Sequence, residues 1–178
     1  ISELPDDLVN ATIAVEDHRF REHGAIDIIS IGRAISSNLK AKDMVEGGST
    51  ITQQVAKNLY FMTEKDNVSR KIAELILSYH LEKNYSKDEI FELYVNTIYY
   101  GNGYYGIKEA SNGYLNKVPK DLTLDEATML AGIPNAPSVY APTVNMDLCK
   151  NRQAKVIRSM VKYGYITQEQ ADSIKLGM

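Results

Sequence analysis

The strongest constraint on the fold is a helical period that runs through most of the chain. After Asn67, the residues Val68, Ile72, Leu75, Ile76 and Tyr79 recur at helical spacing and form one apolar stripe. Three capping boxes mark helix starts further on: Ser86 with Glu89, Thr123 with Glu126, and Thr167 with Gln170. In each, an N-cap hydroxyl accepts from the backbone three residues on, and the side chain there reaches back. Helices are also expected over residues 5–17, 27–40, 50–61, 106–115 and 147–163. Gly47-Gly48, Gly101-Asn102-Gly103 and the prolines Pro134, Pro137 and Pro142 interrupt the period. No stretch sustains the alternation of a strand, so the expected class is mostly α with minimal strand.

A chain of 178 residues, 44% hydrophobic and 24% charged, fits one globular domain with a small subdomain. Its net charge of −3 argues against nucleic acid as a partner, which usually requires a basic footprint. An anionic substrate must then be held by a local cluster of cations. The single cysteine, Cys149, rules out an internal disulfide framework and a Cys-rich metal site. No stretch approaches the ~18 apolar residues of a membrane span. The chain starts at Ile1 and is expected to be a domain excised from a longer protein. Twelve tyrosines stand against no tryptophan, and Tyr99, Tyr100, Tyr104, Tyr105 and Tyr114 fall close together.

Five constellations carry candidate chemistry. The first, Glu16-Asp17-His18-Arg19-Phe20-Arg21-Glu22-His23-Gly24, lies where the first apolar helix runs out. A helix end beside a loop suits a catalytic carboxylate, because a rigid element holds it. A charged helix terminus with internal ion pairs is the plainer reading. His18 and His23, five apart, do not share a helical face, which weakens a metal reading. The second, Gly47-Gly48-Ser49-Thr50-Ile51-Thr52-Gln53-Gln54, leads into Lys57. Ser49 or Thr50 can cap the next helix, whose N-terminus offers N–H groups to an anion. Thr50, Gln54 and Lys57 follow one another at turn spacing. No lysine follows the second glycine where a P-loop needs one.

The third, Arg70-Lys71-Ile72-Ala73-Glu74, puts two cations and one acid on a single helical face. It reads either as an intrahelical salt bridge or as a diphosphate site with a helper acid or metal ligand. The fourth, residues 87–96 and then 97–103, reads mainly as core through Ile90, Phe91 and Tyr94. The fifth, residues 126–137, reads as a tightly packed helix ended by glycine and proline.

Taken together and in this order, these segments resemble the five motifs of the bacterial peptidoglycan glycosyltransferases. These are the lysozyme-like polymerases found alone or in front of penicillin-binding transpeptidases. Glu16-Asp17, Phe20 and His23, the run from Gly47 to Gln54, and Arg70-Lys71 with Glu74 carry the resemblance most sharply. Ala25 departs from the glycine usual there, and Lys65 is the candidate for a cation the family often has before Arg70.

The resemblance implies a lysozyme-like helical domain over residues 1–178, with a smaller membrane-proximal subdomain. It implies polymerisation of lipid II, a lipid-linked disaccharide-pentapeptide, onto a growing lipid-linked glycan chain, with inversion and release of polyprenyl diphosphate. Glu16 is then the base that deprotonates the acceptor 4-hydroxyl, and Glu74 a second catalytic residue that orients the cations, holds the metal or helps the leaving group. Lys57, Arg70, Lys71 and Arg152 would hold the diphosphate, a divalent metal (Mg or Mn) assisting. Ser49, Thr50, Gln53, Gln54 and Asn96 would shape the cleft. The expected location is the extracytoplasmic face of the cytoplasmic membrane, anchored by a segment outside this chain, with room for a transpeptidase domain. The run Leu59-Tyr60-Phe61-Met62 is the candidate membrane contact. A lysozyme-like lytic enzyme would leave Arg70, Lys71 and Lys57 without a role. An inactive helical binding module would not need both Glu16 and Glu74.

Overall fold

The computed structural model describes residues 4–27, 49–60 and 68–174. The expected helix over 27–40 therefore falls almost wholly outside the described residues, as do Gly47, Gly48, Phe61, Met62 and Lys65. Among the described residues no strand forms. A single antiparallel bridge joins Tyr99 to Tyr105. The mostly α expectation holds.

The chain divides into two compact units, one of residues 1–18 with 95–178 and one of residues 19–94. In the first, helix α1 (Asp6–Glu16) starts after Pro5 with two acids in its first turn, where negative charge suits the helix dipole. It buries Leu8, Val9, Ala11, Ile13 and Ala14, and it ends at Glu16 because Asp17 is extended, at φ −160°. Further along come α5 (Ile107–Leu115), α6 (Leu124–Gly132), the short α7 (Pro137–Tyr140), α8 (Met146–Lys162) and α9 (Gln168–Ser173). Helices α1, α6 and α8 pack on one another. Ala11, Ala14 and Ala131 meet Val156, Ile157 and Met160 there, small residues against large ones. Each large side chain so buried stabilises the unit by about 1.5–3 kcal/mol.

The boxes at Thr123 and Thr167 cap α6 and α9 from both sides. Burial disfavours charge on Glu126, yet hydrogen bonds from Lys117 and Thr123 outweigh it and hold that carboxyl below its ordinary range. The fifth constellation is architectural as expected: α6 is buried from Ala127 to Gly132 and gives way to a 3-10 turn, Ile133–Asn135.

The second unit contains α2 (Ile51–Tyr60), α3 (Val68–Asn84) and most of α4 (Lys87–Thr97). Ile90, Phe91 and Tyr94 are fully buried as expected, and Phe20 lies 6.3 Å from Phe91, centroid to centroid. The box at Ser86 caps α4, with the Ser86 N–H donating to Glu89 at 2.8 Å. Helix α2 packs on α3. What α3 buries is the unexpected part. Its apolar stripe is outward, with Val68 76%, Ile72 53%, Ile76 55% and Tyr79 61% exposed. The buried positions are Arg70, Glu74, Ser78 and Leu81. Periodicity identifies a stripe of like residues but not the direction it faces, and here an internal ion pair occupies the inner face.

Candidate active site

The expected site residues fall into two groups, one in each unit. In the first unit, the end of α1 presents Glu16 to α8. Arg152 Nη2 donates to Glu16 Oε1 at 3.0 Å, with side chains only 7% and 8% exposed. Arg152 also donates from Nε to the Gly132 carbonyl at 3.3 Å and lies 5.7 Å from the Tyr140 ring centroid. Gly132 is glycine for room: its φ is an ordinary −77°, but an added Cβ would sit 3.0 Å from Arg152 Cγ. The arginine stem thus crosses the helix at its one side-chain-free position. Arg152, expected among the cations for the diphosphate, is in this structure committed to Glu16. The cation that Glu16 meets thus comes from α8, far along the chain.

Asn96, exposed near the end of α4, belongs to the same unit. Its carbonyl is closed over by Gly106, whose φ and ψ of +82° and 157° are open only to glycine. A Cβ on Gly106 would come 2.5 Å from the Asn96 oxygen. Between them runs the tyrosine loop. Burial, and after it the Glu16 charge, push the Tyr100 phenol above its ordinary range, so it stays a neutral hydroxyl.

In the second unit, Glu74 is 1% exposed and is flanked by two cations. Arg70 Nε lies 2.9 Å from Oε1, and Lys71 Nζ donates to Oε2 at 3.1 Å. Lys71, 47% exposed, also donates to Ser49 Oγ at 3.3 Å, linking the loop before α2 to α3. Thr50 caps α2 by accepting from the Gln53 N–H at 3.1 Å. Thr50 Oγ1 and Gln53 Nε2 both donate to the Ala25 carbonyl, at 3.4 and 3.1 Å. Both residues are 3% exposed, so they brace the loop from inside. Exposed Ser49 and Lys57 and half-buried Gln54 are the outer members of this set.

Both Glu74 oxygens face cations, so these residues do not fit a divalent ion as they stand. His23 and Asp27 bring potential ligand atoms within 4.8 Å of each other, though Asp27 accepts from Arg19 at 3.0 Å. Nothing in the spacing of Gly132 or Tyr140 marks them as supports of Arg152. Only the return of α8 to α1 makes them so.

The transglycosylase family matches residues 1–161 of this chain. The chain is 47% identical over 171 residues to penicillin-binding protein 1F of Bacillus subtilis, covering 96% of this chain and 24% of that protein. It is 46% identical over 172 residues to penicillin-binding protein 1A of Neisseria flavescens, covering 97% of this chain and 21% of that one. It thus spans about a quarter or less of the length of the curated relatives it matches. A crystal structure of penicillin-binding protein 1A from Haemophilus influenzae aligns over 70% of this chain and 15% of that chain, at 27% identity and a TM-score of 0.48. With a family match across nine-tenths of its residues and relatives at this identity along nearly all of its length, the chain belongs to the transglycosylase family and is a transglycosylase domain.

Proposed function

We propose that this domain joins lipid-linked disaccharide-pentapeptides into the β-1,4 glycan strands of peptidoglycan, with Glu16 as the base. The observation that carries the reading is the different setting of two buried acids. Glu16 ends a rigid helix with Arg152 on its carboxylate, while Glu74 is held by two cations of its own helix, of which Lys71 also reaches the loop before α2. In the proposed step the acceptor 4-hydroxyl gives its proton to the Glu16 carboxylate. Its oxygen attacks the donor anomeric carbon, the bond to the diphosphate breaks with inversion, and the diphosphate leaves with the electron pair. A diphosphate needs charge stabilisation more than a proton, which Lys71, Arg70 and Lys57 supply. Glu74 orients those cations. Arg152 holds the Glu16 carboxylate in position, and Ser49, Gln54 and Asn96 contact the sugars and phosphates. Thr50 and Gln53 set the loop. Any divalent metal would be held by the diphosphate rather than by Glu74, whose oxygens both face cations.

A lytic enzyme of lysozyme-like kind is not favoured, since it would give the paired cations of α3 nothing to stabilise. We take residues 1–178 as one transferase domain of a longer protein that works at the extracytoplasmic face of the cytoplasmic membrane, the relatives being penicillin-binding proteins several times its length. Among the described residues no helix is long and apolar enough to cross a membrane, so the anchor would lie elsewhere. The outward stripe of α3, with exposed Leu59 and Tyr60 on α2, would rest on the lipid surface. Supplying lipid II and separating the products tests the function. Long polymer supports it, whereas cleavage of preformed glycan without polymer would establish a lytic enzyme instead.

A further inference from the structure

The tyrosine loop carries a feature that the transfer step does not use. Tyr99 and Tyr105 flank it, joined by an antiparallel β-bridge, with ring centroids 4.8 Å apart and planes inclined by 36°. They remain 36% and 47% exposed. The loop between them is tightly held. Tyr100 N–H donates to the Tyr104 carbonyl and Tyr104 N–H to the Gly101 carbonyl, both at 2.9 Å. Gly103 N–H donates to Tyr99 Oη at 3.2 Å. Tyr104 packs edge-on against Tyr114, whose hydroxyl donates to the Tyr100 carbonyl at 2.8 Å. The inner tyrosines thus fix the loop, and the outer two form a rigid aromatic pair at the surface.

Beside this pair is an open recess of about 430 Å³ on α5, lined by Lys108, Glu109, Asn112, Lys117 and Val118. Glu109 belongs to both features, because its Oε2 accepts from the Tyr105 N–H at 2.8 Å. Aromatic faces flanked by an ammonium, a carboxylate and an amide suit a pyranose. The C–H face of the sugar stacks on the rings, while its ring-edge hydroxyls and acetamides require polar partners. The platform and Glu16 belong to the same compact unit.

We propose that Tyr99 and Tyr105, with the Lys108–Glu109–Asn112 recess, form a binding subsite for the glycan strand itself. The idea rests on the polymerase reading above and adds to it a handhold on sugars beyond the reacting pair. An aromatic stack of this kind accounts for about a ten-fold change in affinity.

The test is calorimetric titration of a lipid-free β-1,4-linked N-acetylglucosamine hexamer into the wild type, a Tyr99→Ala/Tyr105→Ala variant and Tyr105→Trp, with circular dichroism confirming the fold. The expected result is hexamer affinity lowered about ten-fold or more in the double variant and kept in Tyr105→Trp. Strands made from lipid II by the double variant should be shorter, while the first joining of two lipid II molecules proceeds at the wild-type rate. Hexamer affinity equal in wild type and double variant, or no binding to the wild type, would overturn the subsite. Loss of liposome association with hexamer affinity intact would assign the rings to lipid and overturn it as well. Binding of hexamer by a wild type that makes no polymer would remove the polymerase reading and leave the subsite standing.

Discussion

Arg152 and Glu16 meet at 3.0 Å across 136 positions of sequence, joining the last residue of α1 to the middle of α8. The pair is buried on both sides, and its stem rests on Gly132. Leaving one member of such a pair alone costs about 3–5 kcal/mol, because a charge is stranded away from water. Arg152→Ala should therefore lower stability in urea by at least about 3 kcal/mol. Adding Glu16→Gln should recover part of the loss by removing the stranded charge. A loss below about 1 kcal/mol would mean that the pair is solvated and does not position Glu16.

Arg70 and Lys71 share Glu74 but differ in exposure, 7% against 47%, and so should differ in phenotype. Lys71→Ala should reduce turnover about ten-fold or more, the equivalent of one charge-assisted contact of roughly 1.5–3 kcal/mol, with the helical circular dichroism intact. Arg70→Ala should reduce both turnover and stability. Normal turnover in both variants would reduce the cluster to a structural salt bridge.

The α3 stripe offers a cleaner contrast. Ile72→Ser with Ile76→Ser should leave stability within about 0.5 kcal/mol per site, since both side chains are more than half exposed. Association with anionic liposomes should fall about ten-fold or more. A stability loss of about 2–4 kcal/mol would instead place the stripe in a core.

Gly106 combines a backbone that only glycine adopts comfortably with no room for a side chain. Gly106→Ala should cost about 2–4 kcal/mol, summing backbone strain and overpacking. Gly103 shares the positive φ but has open space, so Gly103→Ala should cost only the strain, about 1–2 kcal/mol. Equal losses at the two positions would show that contact with Asn96 contributes nothing.

Local grammar was legible in the sequence. The three capping boxes were readable because each closes within four residues, and Ile90, Phe91 and Tyr94 because their spacing matches one helix face. The charge triad of α3 was likewise visible as a triad. Direction was not legible: nothing in the spacing of Val68, Ile72, Ile76 and Tyr79 says that Arg70 and Glu74 take the inner face instead. Long-range partnership was no more legible. Arg152 drew notice as a loose cation, and only the packing of α8 on α1 over Gly132 shows that it meets Glu16. Thr50 and Gln53 were read as cleft residues, yet their polar atoms are spent on the cap and on the Ala25 carbonyl, 25 and 28 positions back.

The central claim is the division of labour between the two acids, and Glu16→Gln tests it most directly. That change keeps the shape of the side chain and removes the base. Polymerisation of lipid II by this variant should fall about 10²–10⁴-fold, while binding of a non-reactive diphosphate-lipid analogue stays near that of the wild type. Glu74→Gln, measured alongside, should weaken the analogue as well as the rate, because Arg70 and Lys71 lose the group that orients them. A Glu16→Gln protein that still polymerises, beside a Glu74→Gln protein that binds normally and is inactive, would contradict the account and reverse the roles.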